Sequence, residues 1–376
     1  MPLKTYCSTI QNYQTNWRTR LWMLSSQNPK KKKRKMKHKF LIFLLGLSIF
    51  GFWSCENDLA QQQDKAITQE ETSPLDAFDS LNILIKQHPK DAQLHNERAK
   101  FFLLAGENNL AFADVNVALQ IDSTDADIWI TLSDIYMAKE RFVDSREILF
   151  RAEKIDPKNT NALINLSRLF LIYREYAKSL SYIDRAIDVD PILHEAYFLK
   201  AMIKLEQKDT TASLYNYQQA VNLSPDFFDA WIALGNLNQA QGKALAEQYY
   251  LNAFELDTNN THAQYILAMY YQQTDRIELA EKNYLQIISK AENANAWYNL
   301  GYLNLVYYGD YQEAIKCFQK SLNLNPDYND ALFNLAYSLE LSGDKEDARQ
   351  SYKKLLKKQP NHAGAVKQLN GLGDPK

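Results

Sequence analysis

Apolar and small positions recur along this chain with one long period. Leu132, Leu166, Leu234, Leu267, Leu300 and Leu335 occupy one column. The next column holds only small residues: Ala99, Ser133, Ser167, Ala201, Gly235, Ala268, Gly301 and Ala336. A third column is Ala111, Ala246, Ala280, Ala314 and Ala348, and a fourth is Ala118, Ala152, Ala186, Ala220 and Ala253. The prolines fix the length of the unit. Pro157, Pro191 and Pro225 are 34 residues apart, and so are Pro326 and Pro360. Each unit predicts two helices closed by a proline-containing turn, because proline cannot continue a helix. Small residues at the eighth and twentieth places let the two backbones cross closely, and the alanine at the twenty-seventh does the same against the next unit. A single pair leaves an apolar face bare, so neighbours must stack.

This places eight units at 92–125, 126–159, 160–193, 194–227, 228–260, 261–293, 294–328 and 329–362. The fifth and sixth are one residue short and the seventh one long, and turns are where such changes are expected to fall. A lone helix from Leu75 to Gln87, with Ser73 as N-cap, is predicted within 74–91, and a short helix from Ala363 to Asn370 within 363–376. Both would shield the ends of the array. The fourth unit departs most, with Lys204 and Ser213 where an aromatic and an alanine are usual, and local softness is expected there.

Trp129, Trp231 and Trp297 stand at the fourth place, and Ala296-Trp297-Tyr298-Asn299-Leu300-Gly301-Tyr302 is the most regular stretch. That pattern resembles the tetratricopeptide-repeat family over roughly residues 75 to 370. The resemblance implies an all-α fold, an α-solenoid superhelix of about eight helix-turn-helix repeats. It also implies protein or peptide binding in a concave groove lined by the first helix of each repeat. Some arrays of the family clamp a C-terminal carboxylate with Lys at the fifth place. Here the fifth places are Asn96, Ile130, Ile164, Phe198, Ile232, Tyr265, Tyr298 and Phe333, so that clamp is not expected.

The front of the chain is different in kind. Residues 36–54 join a basic start to an apolar run from Phe40 to Trp53, which is short for a membrane span and suits a secretory signal. The run ends at Ser54-Cys55 and turns polar at once. This resembles a bacterial lipoprotein signal, although Phe52 replaces the usual Leu. The resemblance implies acylation of Cys55 and a bacterial cell-envelope location, with the outer membrane favoured and the repeats facing periplasm or cell surface. Two or three acyl chains are needed because one anchors only marginally. Residues 55–73 read as a polar tether that cannot support a core. Residues 1–35 fit no signal design, and Met36 is expected to be the true start.

Charge narrows the partners. The chain has a net charge of −2, but residues 1–54 hold eleven Lys and Arg and no acid. From Cys55 onward 43 − 11 = 32 bases face 45 acids, a net of −13. So acidic a body repels a phosphate backbone, and no nucleic-acid partner is expected. Of the three cysteines, Cys7, Cys55 and Cys317, no two have metal-ligand spacing. Cys317 reads as a small buried hydrophobe. The histidines His88, His95, His194, His262 and His362 fall near unit boundaries and read as surface or edge residues. The acids Asp127 and Asp134 read as solvated charge. No phosphate loop, HExxH or nucleophile elbow appears. The chain is therefore read as a non-enzymatic adaptor or scaffold with no metal and no cofactor. A self-associating assembly factor, with a homodimer partner in the groove, is the first alternative, and an enzyme is the second.

The candidate groove is defined by the second, fifth, ninth and twelfth places of each first helix. These are mixed in the early units. In the later ones they become aromatic or sulfur-bearing: Phe198, then Tyr265 and Met269, Tyr298 and Tyr302, Phe333 and Tyr337. Side by side they would form an aromatic strip with Asn295, Asp330 and Glu340 at its rim, which is the composition of a binding hot spot. The competing reading is that these rings pack into the helical core.

Overall fold

The computed structural model describes residues 74–373. The expectations at residues 1–73, including Met36, Ser73 and Cys55, lie outside it. Eighteen α-helices follow one another and no strand occurs among the described residues. The chain divides into two compact units, the first up to Leu169 and the second from Phe170.

In the first unit α1 (Pro74–Gln87) precedes the pairs α2 (Ala92–Leu104) with α3 (Asn108–Ile121) and α4 (Ala126–Ala138) with α5 (Phe142–Ile155). The division falls within α6 (Thr160–Ile172). The second unit continues with α7 (Tyr176–Val189). Its pairs are α8 (His194–Glu206) with α9 (Thr210–Leu223), α10 (Phe228–Ala240) with α11 (Leu245–Leu256), and α12 (Thr261–Gln273) with α13 (Ile277–Lys290). Then come α14 (Ala294–Leu303) with α15 (Tyr311–Leu324), α16 (Asn329–Ser342) with α17 (Lys345–Lys358), and the last helix α18 (Ala363–Gly371).

Helix crossing works as the small columns require. Every alanine and serine at the eighth and twentieth places is fully buried, as are Ala118, Ala152, Ala186, Ala220 and Ala253. Opposite the eighth place lies a column the small residues exist to admit: Val115, Leu149, Ile183, Tyr217, Tyr250, Tyr284, Phe318 and Tyr352, all buried. In the second unit this column is aromatic from Tyr217 onward. At two crossings the fit leaves no room for a methyl. A Cβ on Gly235 would lie 2.4 Å from the Tyr250 ring, and one on Gly301 2.7 Å from the Phe318 ring.

A buried phenol must place its hydroxyl. In three repeats the twelfth place of the first helix accepts it: Tyr250 donates to Gln239 at 2.6 Å, Tyr284 to Gln272 at 2.9 Å and Tyr352 to Glu340 at 2.9 Å, whereas the twelfth place of the fourth repeat, with Tyr217, is Leu205. In the seventh repeat the ring is Phe318, which has nothing to donate, and the twelfth place is the buried Leu305. The twelfth place therefore serves the pair as well as its outer face.

The extra residue of the seventh repeat corrects an expectation. It falls not in a turn but in the first helix, whose end widens into a π-helical turn, Asn304–Tyr308, closed by Gly309 at φ 66°. One more residue inside the helix rotates the chain beyond it, and Val306, Tyr307 and Tyr308 become exposed. The fourth repeat carries its departures inside the fold: Ser213 is fully buried and its hydroxyl has no partner. An unmade bond of that kind costs about 1–3 kcal/mol.

Both ends are covered. Phe78 of α1 sits edge-on to Phe101 and Phe102, at centroid distances of 6.1 and 5.5 Å. Arg98 joins α1 to the first pair, donating to Asn82 at 3.0 Å and through two nitrogens to Asp114 at 2.7 and 2.8 Å. At the other end the buried Arg349 donates to the Gly373 carbonyl at 2.9 Å.

Two readings of polar residues need correction. His95 is not at an edge; it is buried, with Nε2 3.1 Å from the Pro89 carbonyl and Nδ1 3.8 Å from Asp114. Asp134 is not simply solvated. It is half-buried and accepts from Asn165 at 2.9 Å. Burial raises its carboxyl to about 6, against the pull of Arg168 and Lys100. Cys317 is buried as expected, and burial pushes its thiol up to about 12.

Two measurements test this packing. Gly301→Leu forces a side chain into the Phe318 ring and is expected to cost on the order of 1–3 kcal/mol; an unchanged melting curve would contradict the crossing described. For Asp134 the folded carboxyl binds its proton more tightly than the unfolded one, whose ordinary value is about 3.9. Its contribution to stability is therefore most favourable at low pH and is lost as pH rises through about 4 to 6. Asp134→Asn, which keeps an acceptor for Asn165, should melt a few degrees above the wild type at neutral pH, and the two should converge in acid. Parallel melting profiles across that range would refute the shift.

Candidate functional site

The seven residues expected to line a groove all lie in the second unit, and all are half-buried. None is free of the fold. Each fifth-place ring leans on the aromatic column of its own second helix: Phe198 on Tyr217 at 5.2 Å, Tyr265 on Tyr284 at 5.9 Å, Tyr298 on Phe318 at 5.8 Å and Phe333 on Tyr352 at 5.9 Å. These contacts agree with the competing packing reading. The rings nonetheless stay half-exposed.

The residue that closes each repeat decides what else the ring touches. Where it is Asn260 or Asn293, its side chain accepts from the first turn of the following helix and caps it. Where it is Phe227 or Tyr328 there is no side-chain cap, and the ring packs back instead. Phe227 meets Phe198 at 4.9 Å, and Tyr328 stacks on Tyr298 at 4.8 Å. His362 does both: Nδ1 accepts from the Ala365 amide at 3.1 Å and the ring meets Phe333 at 5.0 Å.

The strip is tied sideways by asparagines at the sixth place. Asn299 is buried and donates to the Tyr265 hydroxyl at 3.0 Å and the Tyr284 hydroxyl at 3.1 Å, with Met269 Sδ 3.5 Å away. Asn334 donates to the Tyr298 hydroxyl at 3.1 Å. Each amide thus links a first helix to the ring of the repeat before it. Burial is the first cause that lifts the Tyr265 and Tyr298 phenols, the asparagine bond pulls both down, and Asp330 adds to the rise at Tyr298. Phe333 stacks with Tyr337, centroids 6.4 Å apart and planes 9° from parallel. Tyr302 stands edge-on to Tyr307 of the π turn at 6.4 Å.

These contacts join Tyr265, Met269, Tyr298, Phe333 and Tyr337 to the rows of α12, α14 and α16. Phe198 stands apart from them, because the fifth place between, Ile232, is aliphatic. In the first unit the fifth-place Asn96 is fully buried rather than groove-facing, and neither atom of its amide has a partner. The asparagines and the buried aromatic column were not singled out from sequence. The column was visible there as a run of bulky residues at the repeat spacing from Val115 to Tyr352, hidden by its change from aliphatic to aromatic.

Among the described residues, no group of three or more His, Cys, Asp or Glu side chains is placed to hold a metal ion. What the site offers chemically is aromatic surface, amide groups and a few carboxylates.

Comparison with known proteins agrees with this architecture. Residues 202–242 match a TPR repeat family model, and residues 303–363 match a tetratricopeptide repeat model. A curated, uncharacterised protein of Methanocaldococcus jannaschii is 43% identical over 44 residues, 12% of this chain and 51% of that one. The chain therefore spans about half the length of that relative. Among solved structures, the C-terminal part of a TPR repeat-containing protein from Cytophaga hutchinsonii superposes with a TM-score of 0.54 at 15% identity, covering 64% of this chain and 99% of that one. A chain of the APC/C hetero-tetramer Cut9–Hcn1 gives 0.51 at 17% identity, covering 73% of this chain and 57% of that one. Both likenesses show the fold alone. The paired helices, their 34-residue period and these matches together make the chain a tetratricopeptide-repeat protein.

Proposed function

We propose that this chain is a non-enzymatic adaptor, tethered to a bacterial envelope membrane through acylated Cys55, which docks a protein or peptide on the first helices of its last repeats. Tetratricopeptide folds in general mediate protein–protein interaction. The observation that carries the reading here is the half-exposed row Tyr265, Met269, Tyr298, Tyr302, Phe333 and Tyr337 on α12, α14 and α16. Tyr265, Tyr298 and Phe333 are held from beneath by a buried aromatic, and the two phenols from the side by an asparagine. Anchors already ordered in the free protein spare a partner much of the entropy cost of fixing them. A row of this kind with a polar rim has the make-up of an interface core.

The tether rests on the order basic, apolar, Ser54-Cys55, which lies outside the described residues. Among the described residues no helix is long and apolar enough to cross a membrane.

One experiment with two arms tests the proposal. Full-length protein is used to capture partners from a membrane extract, alongside a Met269→Ala/Tyr302→Ala variant and a Cys55→Ala variant. The first variant removes the side chains least engaged with the core. It should melt like the wild type yet lose its partners, each truncation costing about 2 kcal/mol of binding. Cys55→Ala should keep its partners and lose incorporation of an acyl label. Undiminished capture by the first variant would end the docking reading, and persistent acyl labelling of the second would end the anchor.

A further inference from the structure

Charge in the last four repeats is sorted by helix. The first helices α10, α12, α14 with its π turn, and α16 carry Asp229, Asp330 and Glu340 and neither lysine nor arginine. Every lysine and arginine between residues 228 and 362 lies on a second helix or in a turn. Several of these cations are already engaged away from the first-helix face: Arg276 with Glu247 at 2.8 Å, Lys316 with Glu313 at 2.8 Å and Lys358 with Asp327 at 2.6 Å. Asp330 and Glu340 pair with no lysine or arginine among the described residues.

On α16 the acids and rings share one stripe. Asp330, Phe333, Tyr337 and Glu340 are spaced by three, four and three residues, which puts them on a single helix face. Asp330 is exposed in the first turn, and its charge acts on the neighbouring Tyr298 and Tyr328 phenols of the stacked pair. Glu340 is half-exposed at the far end, one oxygen accepting from Tyr352. Ten residues of helix separate the two carboxylates by about 15 Å. An extended peptide covers that distance in four to five residues at roughly 3.3 Å each.

We propose that the segment docked on this face is basic: an extended stretch whose lysine or arginine side chains lie along the half-exposed Phe333, Tyr337 and Tyr298 rings and reach Asp330 and Glu340. The inference rests on the docking reading above. An aromatic face draws a cation through its ring quadrupole, and the alkyl stem of lysine or arginine packs on the same ring. With no cation on the first helices to compete, the acids at both ends set the sign of the partner. An acidic segment would meet uncompensated like charge, which is how an interface rejects a wrong partner.

The test uses full-length protein and three labelled peptides of one length and one apolar content, with Arg, Gln or Glu at the same two positions. Fluorescence anisotropy should show the Arg peptide binding at least about tenfold tighter than the Gln peptide and the Glu peptide weakest, with the Arg advantage shrinking as salt is added. Asp330→Asn combined with Glu340→Gln, which keeps an acceptor for Tyr352, should bring the Arg peptide down to the Gln level without changing the melting temperature. Tyr302→Ala should weaken both. Equal binding of the Arg and Gln peptides, both weakened by Tyr302→Ala, would overturn the charge inference and leave the docking face standing. Arg-peptide binding untouched by the acid and ring variants would place the contact elsewhere and overturn the inference. Failure of all three peptides to bind would overturn the inference and the docking face together.

Discussion

The rest of the structure depends on one contact repeated along the chain: a bulky side chain from the second helix seated against a small residue on the first. Interiors are packed like crystals, so the size of one side sets the size allowed on the other. In the first unit the seated residue is Val115 or Leu149, opposite Ala99 and Ser133. In the second, after Ile183, it is Tyr217, Tyr250, Tyr284, Phe318 or Tyr352, and two of the small residues shrink to glycine. That exchange of aliphatic for aromatic has consequences on the other face. A buried ring gives the fifth-place side chain above it a flat surface to lean on. The buried phenols of Tyr250, Tyr284 and Tyr352 draw the twelfth place into service as an acceptor. The aromatic row on the outer face and the aromatic column beneath it are one packing system seen from two sides.

Functional geometry follows from that coupling. The fifth-place rings pack on the buried aromatics of their own second helices and yet stay half-exposed. Asn299 and Asn334 fix the hydroxyls of the preceding repeat and so set the spacing between neighbouring rings. Where the closing residue of a repeat is aromatic, as at Phe227 and Tyr328, the next helix gives up its side-chain cap and the ring gains a partner. The π turn at Asn304–Tyr308 takes up an extra residue without disturbing the seat of Phe318, which remains fully buried.

Much of this was legible from sequence, and the reasons for the remainder are physical. The small columns and the proline spacing point to paired helices because both constraints act within one repeat. The aromatic column escaped notice because its members share volume rather than identity, from Val115 to Tyr352. The asparagine bonds escaped because donor and acceptor sit 34 and 36 residues apart, in different repeats. Asp134 looked like a solvated helix acid because its burial and its partner Asn165 come from the neighbouring repeat, 31 residues on. His95 looks like an edge residue in sequence because it falls near the start of the first repeat, whereas its ring is enclosed between the Pro89 carbonyl and Asp114. The residue added to the seventh repeat gives no sign in sequence of a π turn, since nothing in a count of residues distinguishes a longer turn from a widened helix.

The central claim is that the outer rings are ordered by the fold before any partner arrives, through bonds between repeats. A double-mutant cycle on stability measures this directly, using Tyr298→Phe, which removes only the hydroxyl, and Asn334→Ala. The account predicts that each single change destabilises and that the two are coupled by about 0.5–1.5 kcal/mol, the size of one intramolecular hydrogen bond. Strict additivity would show that the hydroxyl and the amide act independently, and would contradict the claim that adjacent repeats hold the row in place.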